Sequence, residues 1–402
     1  MLSRSSLSAV LQSLLGAELR AARGRKDLGV RLPRHLPPVW SGDMPLSGAI
    51  GQGLGCDSLE VLWLASAVNE MFHLHQVALE DDLMGASTFG GWLNCVEAAW
   101  ERGVASVTFS TSGSTGRPKR CVHAADTLQA ETEYLSDLFR GRRRIVSLVP
   151  AHHIYGFLFT AMLPERLRIE CLSSTDLGVG QLARELMSGD LVVTYPERWH
   201  WLERSLRSWP RDVEGVVSTA PCPPELIAAL SRQGLTAMTE VYGSSETAGV
   251  GIRRRPDANY HLLPRWRFAE PFDPDAPEVL DGTGARVALP DRIVRHGGDC
   301  FELAGRRDGA VQVGGVNVFP EHVAALVRRQ PNVRDAAVRL MREDEGVRLK
   351  AFVVPATGVD PVQLRVALTT WIGIELPVAS RPTAITFGSV LPTGSMGKPL
   401  DW

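Results

Sequence analysis

Residues 104–123 read VASVTFSTSGSTGRPKRCVH, and this stretch decides the fold. The β-rich run 104–109 predicts a strand, and a Ser/Thr/Gly loop follows it directly. Glycines let the backbone approach an anion, and the N–H groups and hydroxyls of Ser112, Ser114 and Thr115 can bind phosphate oxygens. Lys119 adds a positive charge. The stretch therefore predicts a strand followed by a phosphate-binding loop.

A Walker A loop is the alternative interpretation, and it requires the pattern G-x-x-x-x-G-K-[ST]. Here Gly116 is followed by Arg-Pro before Lys119. Arg120 then stands where a Walker A loop has the Ser or Thr that binds magnesium. The sequence therefore argues against an ordinary P-loop NTPase.

The pattern T-S-G-S-T-G-x-P-K resembles the signature of the adenylate-forming family, which includes acyl- and aryl-CoA ligases, luciferases and peptide-synthetase adenylation domains. Further segments resemble the other motifs of that family, in the family's order. They are PAHHIYGF (150–157), STAPCPPEL (218–226), TEVYGSSETAG (239–249), VRHGGD (294–299), GRRD (305–308), VGGVNVFPEHV (313–323) and LPTGSMGK (391–398). A full set in this order makes a chance match of the loop implausible.

The resemblance implies where the phosphates and the metal bind. Ser245 would lie near the α-phosphate, and Glu246 would help bind Mg²⁺, because hard cations take carboxylate oxygens. Lys119 and Glu246 would serve catalysis together with Lys398. The phosphate-binding loop would be formed by Ser112, Gly113, Ser114, Thr115 and Gly116.

The resemblance also implies a nucleoside site and an acid pocket. Tyr242 with Gly243 would lie against the adenine, and Arg306 would contact the nucleotide. Asp299 would hold the ribose hydroxyls, since a carboxylate accepts two hydrogen bonds at once. The acid pocket would be lined by His153, Tyr155, Gly156 and Ala220.

The chemistry of this family needs a small C-terminal domain that moves. A carboxylate attacks the α-phosphate of ATP, which gives an acyl adenylate and pyrophosphate; positioning and charge neutralisation matter most in this step. Lys398 would bridge carboxylate and phosphate, then leave so that a thiol can enter. Asp308 is predicted as the pivot, and Gly315 as the small residue beside the tunnel for the phosphopantetheine thiol.

The first hundred residues raise a different possibility. Residues 53–64 read GLGCDSLEVLWL, in which Asp57 or Ser58 can cap a helix. This segment, within a predicted layout of long helix, long loop, second helix, short turn and last helix, resembles an acyl carrier protein. Ser58 would then be a phosphopantetheine attachment site; the alternative is a purely structural bundle. The helix is predicted to bury the apolar residues Leu59, Leu62, Ala65, Val68, Met71 and Phe72.

Composition narrows the classes of partner. The 402 residues carry a net charge of −2, so no overall field draws the chain to nucleic acid or to an anionic membrane. The six cysteines form no C-x-x-C pair and no apolar run reaches membrane-spanning length, which favours a cytoplasmic location. Local Arg runs are interpreted as solvated surface.

We therefore predict an α/β adenylate-forming core with a shortened N-terminal part. Residues 1–100 would be the carrier-like helical bundle, 101–307 the AMP-binding core and 308–402 an α+β lid. The expected function is ATP- and Mg²⁺-dependent activation of an aryl acid, such as 3- or 4-hydroxybenzoate, and transfer to the phosphopantetheine of an acyl carrier protein. The short layout resembles ligases of aryl-polyene and xanthomonadin-type pigment clusters.

Two alternatives remain open. The acceptor thiol could be free CoA rather than a carrier protein, or the chain's own Ser58 arm. A protein of another class, an inactive ligase-like carrier or scaffold, would be indicated by the loss of key side chains. Lys119, Glu246, Asp299 and Lys398 are all present, which favours an active enzyme.

Overall fold

The computed structural model divides into two compact units, Met1–Thr111 with Arg120–Arg267, and Ser112–Lys119 with Phe268–Trp402. The predicted boundaries at residues 100 and 308 remain predictions. Among the helices described, none is long and apolar enough to cross a membrane. The structure describes residues 2–25, 36, 40–48, 53–112, 118–173, 178–254, 258–342, 344–392 and 402.

The part of the chain before residue 267 begins with four α-helices and continues with a mixture of helices and strands. The helices are α1 (Arg4–Arg25), α2 (Ser58–Phe72), α3 (Glu80–Gly85), α4 (Phe89–Glu101), α5 (Ala125–Leu138), α6 (Ile154–Phe157), α7 (Leu163–Leu167), α8 (Val179–Glu185), α9 (Pro196–Ser205) and α10 (Pro224–Arg232). The strands are β1 (Ser106–Ser112), β2 (Pro118–Ala124), β3 (Arg144–Ser147), β4 (Glu170–Ser173), β5 (Asp190–Thr194), β6 (Glu214–Val217), β7 (Ala237–Ser244), β8 (Ala248–Arg253) and β9 (Tyr260–Leu262).

The N-terminal helices occur in the predicted order, but α2 is rotated relative to the prediction. Leu59 and Leu62 are 69% and 53% exposed, whereas Glu60 is buried. Glu60 closes a capping box with Asp57 and forms a buried ion pair with Arg23 of α1, Nη2 to Oε2 3.2 Å. These two interactions turn the Leu59 side of the helix outward. The predicted apolar face is therefore correct only for its later residues, Ala65, Val68, Met71 and Phe72.

The loops that contain predicted site residues follow the carboxyl ends of strands in the central sheet. Strands β4, β3, β5, β6 and β7 run parallel in that order, and β8 and β9 continue antiparallel. The chain goes from β3 to β4 on one side, and then crosses to β5 on the other side of β3. In open α/β sheets ligands bind outside the carboxyl ends of the strands at such a reversal. A buried cluster that includes Val146, Trp199 and Leu230 packs helices α8 to α10 on this sheet.

A buried ion pair lies at the opposite end of the sheet, where the parallel strands begin. Arg144 at the start of β3 donates to both carboxylate oxygens of Asp190 at the start of β5, at 3.0 and 2.9 Å. Both side chains are nearly inaccessible to solvent. The pair fastens the amino ends of two parallel strands, away from the loops at their carboxyl ends.

The second unit consists mainly of antiparallel strands and two helices. Its elements are β10 (Arg267–Phe268), β11 (Glu278–Leu280), β12 (Arg286–Ala288), β13 (Asp291–Gly297), β14 (Cys300–Arg306), β15 (Val311–Val313), β16 (Val316–Val318), α11 (Pro320–Arg328), β17 (Val333–Leu340), β18 (Leu349–Pro355), α12 (Pro361–Glu375) and β19 (Pro382–Phe387). Strands β17, β18 and β19 form a sheet in that order. Apolar residues between 311 and 387, among them Val323, Ala351 and Leu368, form a core of their own. This core is what the predicted α+β lid requires.

Candidate active site

The tight turn between β7 and β8 presents Glu246 at the carboxyl edge of the sheet. The Ser244 N–H donates to Thr247 Oγ1 at 3.0 Å, and the Thr247 N–H donates to Ser244 Oγ at 3.3 Å. Glu246 at the tip is exposed, while Tyr242 at the end of β7 is buried. A Cβ on Gly243 would lie 2.0 Å from the Ala248 carbonyl oxygen, so this position requires glycine.

His123 ties the turn to the strand that follows the phosphate loop. Its Nε2–H lies 2.6 Å from the Ser245 carbonyl oxygen, which accepts the hydrogen bond. Burial lowers the pKa of His123, so the ring is neutral and carries its proton on Nε2. No role for His123 is predicted from the sequence, although it follows Lys119 at a spacing shorter than the lysine-to-histidine spacing of the adenylate-forming family.

A buried ion pair holds the backbone at the end of the turn between β7 and β8. Glu131 of α5 accepts the Gly249 N–H at 3.0 Å, and Arg265 donates to Glu131 at 2.9 Å. Arg265 also donates to the carbonyl oxygens of Thr247 and Gly249. Burial raises the pKa of Glu131 to about 7, although Arg265 and the Gly249 N–H favour the charged form. The local sign of this pair is a carboxylate on the buried face of α5, because Glu131 stands three residues after the buried Leu128.

Glu240, two residues before Tyr242, joins the loop after β6 to β7. Arg253 donates to both of its carboxylate oxygens at 2.9 Å, and the Cys222 N–H donates to Oε2 at 3.2 Å. The Ser218 hydroxyl donates to the Val241 carbonyl oxygen at 2.8 Å. Loop 218–223, which contains the predicted pocket residue Ala220, is therefore held against the strand that carries Tyr242.

Thr219 of this loop has φ +79°, in the left-handed region. A β-branched residue is strained there, and such strain concentrates at functional sites. We expect Thr219→Gly to raise the free energy of unfolding by about 1–2 kcal/mol, because glycine adopts this conformation without strain. Chemical denaturation followed by tryptophan fluorescence measures the change.

Thr236 provides the matched control for this substitution. It lies in the exposed loop before β7 without a positive φ, and its N–H donates to the Val213 carbonyl oxygen at 2.8 Å. Thr236→Gly is expected to lower stability by about 0.5–1 kcal/mol. Loss of stability in both variants would show that Thr219 is not strained.

The predicted acid-pocket residues divide into two groups. Tyr155 and Gly156 have structural constraints of their own. The Tyr155 hydroxyl lies 3.1 Å from the Thr194 carbonyl oxygen and 3.2 Å from that of Val216, and it donates to these strand ends. A Cβ on Gly156 would lie 1.9 Å from the Pro150 carbonyl oxygen. Tyr155 and Gly156 therefore have structural roles at the ends of β5 and β6 and beside Pro150, and their place in an acid pocket stays a prediction.

His153 differs, because its side chain is exposed to solvent at the residue before α6. Desolvation by the surrounding protein lowers the pKa of its ring. The neighbouring ring of His152 lies with its centroid 4.3 Å away. The role of His153 in an acid pocket stays a prediction.

The second unit contains the remaining described positions. Asp299 is exposed in the turn between β13 and β14, which contains two glycines with positive φ. Arg306 donates to both carboxylate oxygens of Asp308, at 2.8 and 2.5 Å, and lowers the pKa of that carboxyl. Gly315 lies with Gly314 in the two-residue turn between β15 and β16, at φ +77° and +59°.

Part of the predicted phosphate site lies outside the described residues. Ser112 ends β1, and Lys119 is exposed in β2. The other phosphate-loop positions and the predicted catalytic lysine fall on residues that the structure does not describe, namely Gly113, Ser114, Thr115, Gly116 and Lys398. Their roles stay predictions.

The carboxylate of Glu246 suits a magnesium ion whose other ligands come from a bound nucleotide. In the described ranges, no group of three or more His, Cys, Asp or Glu side chains could hold a metal ion. Magnesium needs no such cage, because it is commonly held by one or two carboxylates together with substrate phosphates. The exposed Glu246 carboxylate fits that requirement.

Comparison with known proteins shows the family to which the chain belongs. Residues 96–267 match the family described as AMP-binding enzyme. The chain is 36% identical over 390 residues to a 4-coumarate–CoA ligase of Halorhodospira halophila, and the match covers 97% of each chain. A 4-coumarate–CoA ligase of Rhodobacter capsulatus is also 36% identical, with 98% of this chain and 99% of the relative covered.

A solved structure extends the likeness to the fold. The amide bond synthetase McbA from Marinactinospora thermotolerans superposes with a TM-score of 0.62 at 18% identity, covering 98% of this chain and 92% of McbA. The sequence relatives match over almost their full length, including most of the N-terminal helical region. The chain therefore belongs to the AMP-binding, adenylate-forming enzymes and is an AMP-forming acid–thiol ligase.

Proposed function

We propose that this enzyme activates an aryl carboxylic acid with ATP and transfers the acyl group to CoA. The observation that carries this proposal is the match, over 97% of both chains, to a relative named 4-coumarate–CoA ligase. It favours the CoA alternative over the predicted transfer to an acyl carrier protein. A hydroxylated aryl acid of the 4-coumarate type agrees with the aryl substrate expected from the sequence.

In the first half-reaction the acid would bind in the pocket that the sequence predicts for His153 and Ala220. Tyr242 would pack on the adenine, Asp299 would hold the ribose, and a carboxylate oxygen of the acid would attack the α-phosphate as pyrophosphate leaves. A magnesium ion bound by Glu246 and the nucleotide would neutralise phosphate charge. Because attack of an anion on a polyanion is limited by positioning and charge, these groups suffice without a general base.

In the second half-reaction the CoA thiol would displace AMP from the acyl carbon. The proposed hinge lies at Asp308, which Arg306 and the Ala310 N–H hold through hydrogen bonds in this conformation. Gly309, with φ +67°, adjoins it and can adopt backbone angles that other residues avoid. Lys398 would leave the site with the C-terminal part, and the thiol would approach past Gly315.

The proposal is tested by coupled assays of the purified chain with ATP, Mg²⁺, CoA and a panel of acids. We expect AMP and acyl-CoA to form in equal amounts, with 4-coumarate preferred over 4-hydroxybenzoate and over a saturated fatty acid. AMP release without acyl-CoA would contradict CoA as the acceptor. Preference for the fatty acid would contradict the aryl pocket.

A second candidate acceptor is a phosphopantetheine arm on a carrier protein or on Ser58 of this chain. It is favoured by one observation: Ser58 is exposed at the first position of α2, next to the exposed side chains of Leu59, Leu62 and Trp63. Intact mass after co-expression with a broad phosphopantetheinyl transferase, then incubation with ATP and 4-hydroxybenzoate, tests it. An arm that gains an aryl group would support self-loading, and an unmodified mass would exclude Ser58.

A further inference from the structure

A row of three side chains crosses strands β7, β8 and β9 beside Tyr242. Glu240 of β7 pairs with Arg253 of β8, and the Arg253 guanidinium donates to both carboxylate oxygens of Glu240 at 2.9 Å. The guanidinium carbon of Arg253 also lies 4.6 Å from the centre of the Tyr260 ring on β9. The Tyr260 hydroxyl donates to Glu240 Oε2 at 3.3 Å. The three side chains therefore hold one another across three neighbouring strands.

This row is shielded from solvent. Glu240 and Tyr260 are buried, and the side chain of Arg253 is 17% exposed. Burial, and then the charge of Glu240, raise the pKa of the Tyr260 hydroxyl, which therefore keeps its proton and donates it to the carboxylate. Hydrogen bonds to a charged group are stronger than those between neutral groups, so the row is a firm attachment between the strands.

Tyr260 also contacts the ring of Tyr242. In the ladder between β7 and β8, Tyr242 pairs with Gly251, which has no side chain to separate the two rings. The ring centroids of Tyr242 and Tyr260 lie 6.0 Å apart in an edge-to-face arrangement. Both residues are buried, so the packing of Tyr260 limits the orientations that the Tyr242 ring can adopt.

The same row holds a second segment of the predicted nucleotide site. The Cys222 N–H donates to Glu240 Oε2 at 3.2 Å, and this oxygen also accepts the Tyr260 hydroxyl. Cys222 belongs to STAPCPPEL (218–226), which resembles the loop beside the adenine in the adenylate-forming family. Strands β8 and β9 are therefore attached both to Tyr242 and, through Glu240, to this loop.

We propose that Tyr260 and Arg253 are positioning residues for the nucleotide. Tyr260 holds the ring of Tyr242 in the orientation that packs on the adenine, and Arg253 holds Glu240 and, with it, the loop that contains Cys222. The proposal rests on the proposed function, because it takes Tyr242 as the residue that packs on the adenine. Strands β8 and β9 therefore contribute to the affinity for ATP through side chains that act on other side chains.

The experiment measures acid-dependent exchange of pyrophosphate into ATP, which needs no thiol acceptor. Tyr260→Leu is expected to raise KM for ATP about threefold to tenfold, the effect of one lost aromatic pair. Tyr260→Phe keeps the ring and removes only the hydroxyl, so its KM for ATP should change less than about twofold. KM for pyrophosphate, which carries no base, and KM for the acid should not change in either variant, nor should kcat.

Arg253→Lys tests the other half of the network. Lysine keeps the positive charge beside Glu240 but cannot donate to both carboxylate oxygens as the planar guanidinium does. This variant is expected to raise KM for ATP about threefold to tenfold, the effect of one lost hydrogen bond. An unchanged KM for ATP would refute the role of Arg253.

Phe139→Leu is the matched control for loss of a buried aromatic pair. Phe139 and Phe159 also form an edge-to-face pair with ring centroids 6.0 Å apart, and Phe139 is buried like Tyr260. Phe139→Leu and Tyr260→Leu should lose comparable stability in urea denaturation, but only Tyr260→Leu should raise KM for ATP. The same rise in Phe139→Leu, or an equal rise of KM for ATP, pyrophosphate and acid in Tyr260→Leu, would overturn the proposal.

Tyr242→Leu distinguishes this proposal from the assignment on which it rests. If Tyr242→Leu raises KM for ATP while Tyr260→Leu does not, the positioning role is refuted and the adenine site stands. If neither variant changes KM for ATP, the adenine binds elsewhere and both fail. In the double variant, a KM no higher than that of Tyr242→Leu supports action through Tyr242, whereas two effects that multiply refute it.

Discussion

Lys398→Ala is expected to reduce acid-dependent exchange of pyrophosphate into ATP by about 10²- to 10³-fold, the effect of removing one preorganised group that stabilises developing charge. The lysine, which lies in LPTGSMGK (391–398), would bridge the acid carboxylate and the α-phosphate in the first half-reaction only. Transfer of the acyl group from a preformed acyl adenylate to CoA should therefore persist at a rate close to that of the unmodified enzyme. Rapid-quench assays of the two half-reactions measure both rates.

Lys398→Arg is the control for charge alone. Arginine keeps the positive charge but presents a planar fork in place of a compact ammonium group, so it should restore only part of the exchange activity. Equal loss of both half-reactions in Lys398→Ala would contradict the assignment, because it would place the lysine in the second step as well. Undiminished exchange would show that another cation performs the bridge.

Arg265→Ala is expected to have the second-largest effect, on stability and on metal use together. The side chain of Glu131 is 1% exposed, so the loss of Arg265 leaves a buried carboxyl group without its cation. Breaking such a pair costs about 3–5 kcal/mol. The turn that carries Glu246 also loses the hydrogen bonds from Arg265 to Thr247 and Gly249. We therefore expect the Mg²⁺ concentration for half-maximal adenylation to rise about tenfold. This factor corresponds to a weakening of Mg²⁺ binding by about 1.4 kcal/mol when Glu246 is displaced.

Arg144→Ala is the matched control, because it breaks an equally buried pair at the other end of the same sheet. Arg144 and Asp190 are 10% and 1% exposed, against 13% and 1% for Arg265 and Glu131. Both variants should lose comparable stability in urea denaturation, but only Arg265→Ala should change the Mg²⁺ dependence and the binding of Mn²⁺–ATP measured by electron paramagnetic resonance. The same shift in Arg144→Ala would show that the metal effect reflects loosened packing.

Local patterns predicted a large part of this protein correctly. The strand before the phosphate loop, the cap at Asp57 and the order of the N-terminal helices all appear in the structure. They could be predicted because a strand, a cap and a helix are set by residues a few positions apart. Only the first two residues of the predicted buried face of α2, Leu59 and Leu62, were wrong, since Glu60 pairs with Arg23, which lies 37 positions earlier in the chain.

The sequence by itself determined the class of chemistry, because each motif is a short segment whose neighbouring residues are predicted to bind one part of the nucleotide. The tertiary structure decided what holds those motifs. Glu131 meets Gly249 across 118 positions, His123 meets Ser245 across 122 and Ser13 meets His152 across 139. No local propensity encodes contacts at such separations; they form when helices and strands pack and buried polar groups must find partners. The residues proposed for the chemistry can therefore be predicted from the sequence, whereas the contacts that hold their motifs appear only in the fold.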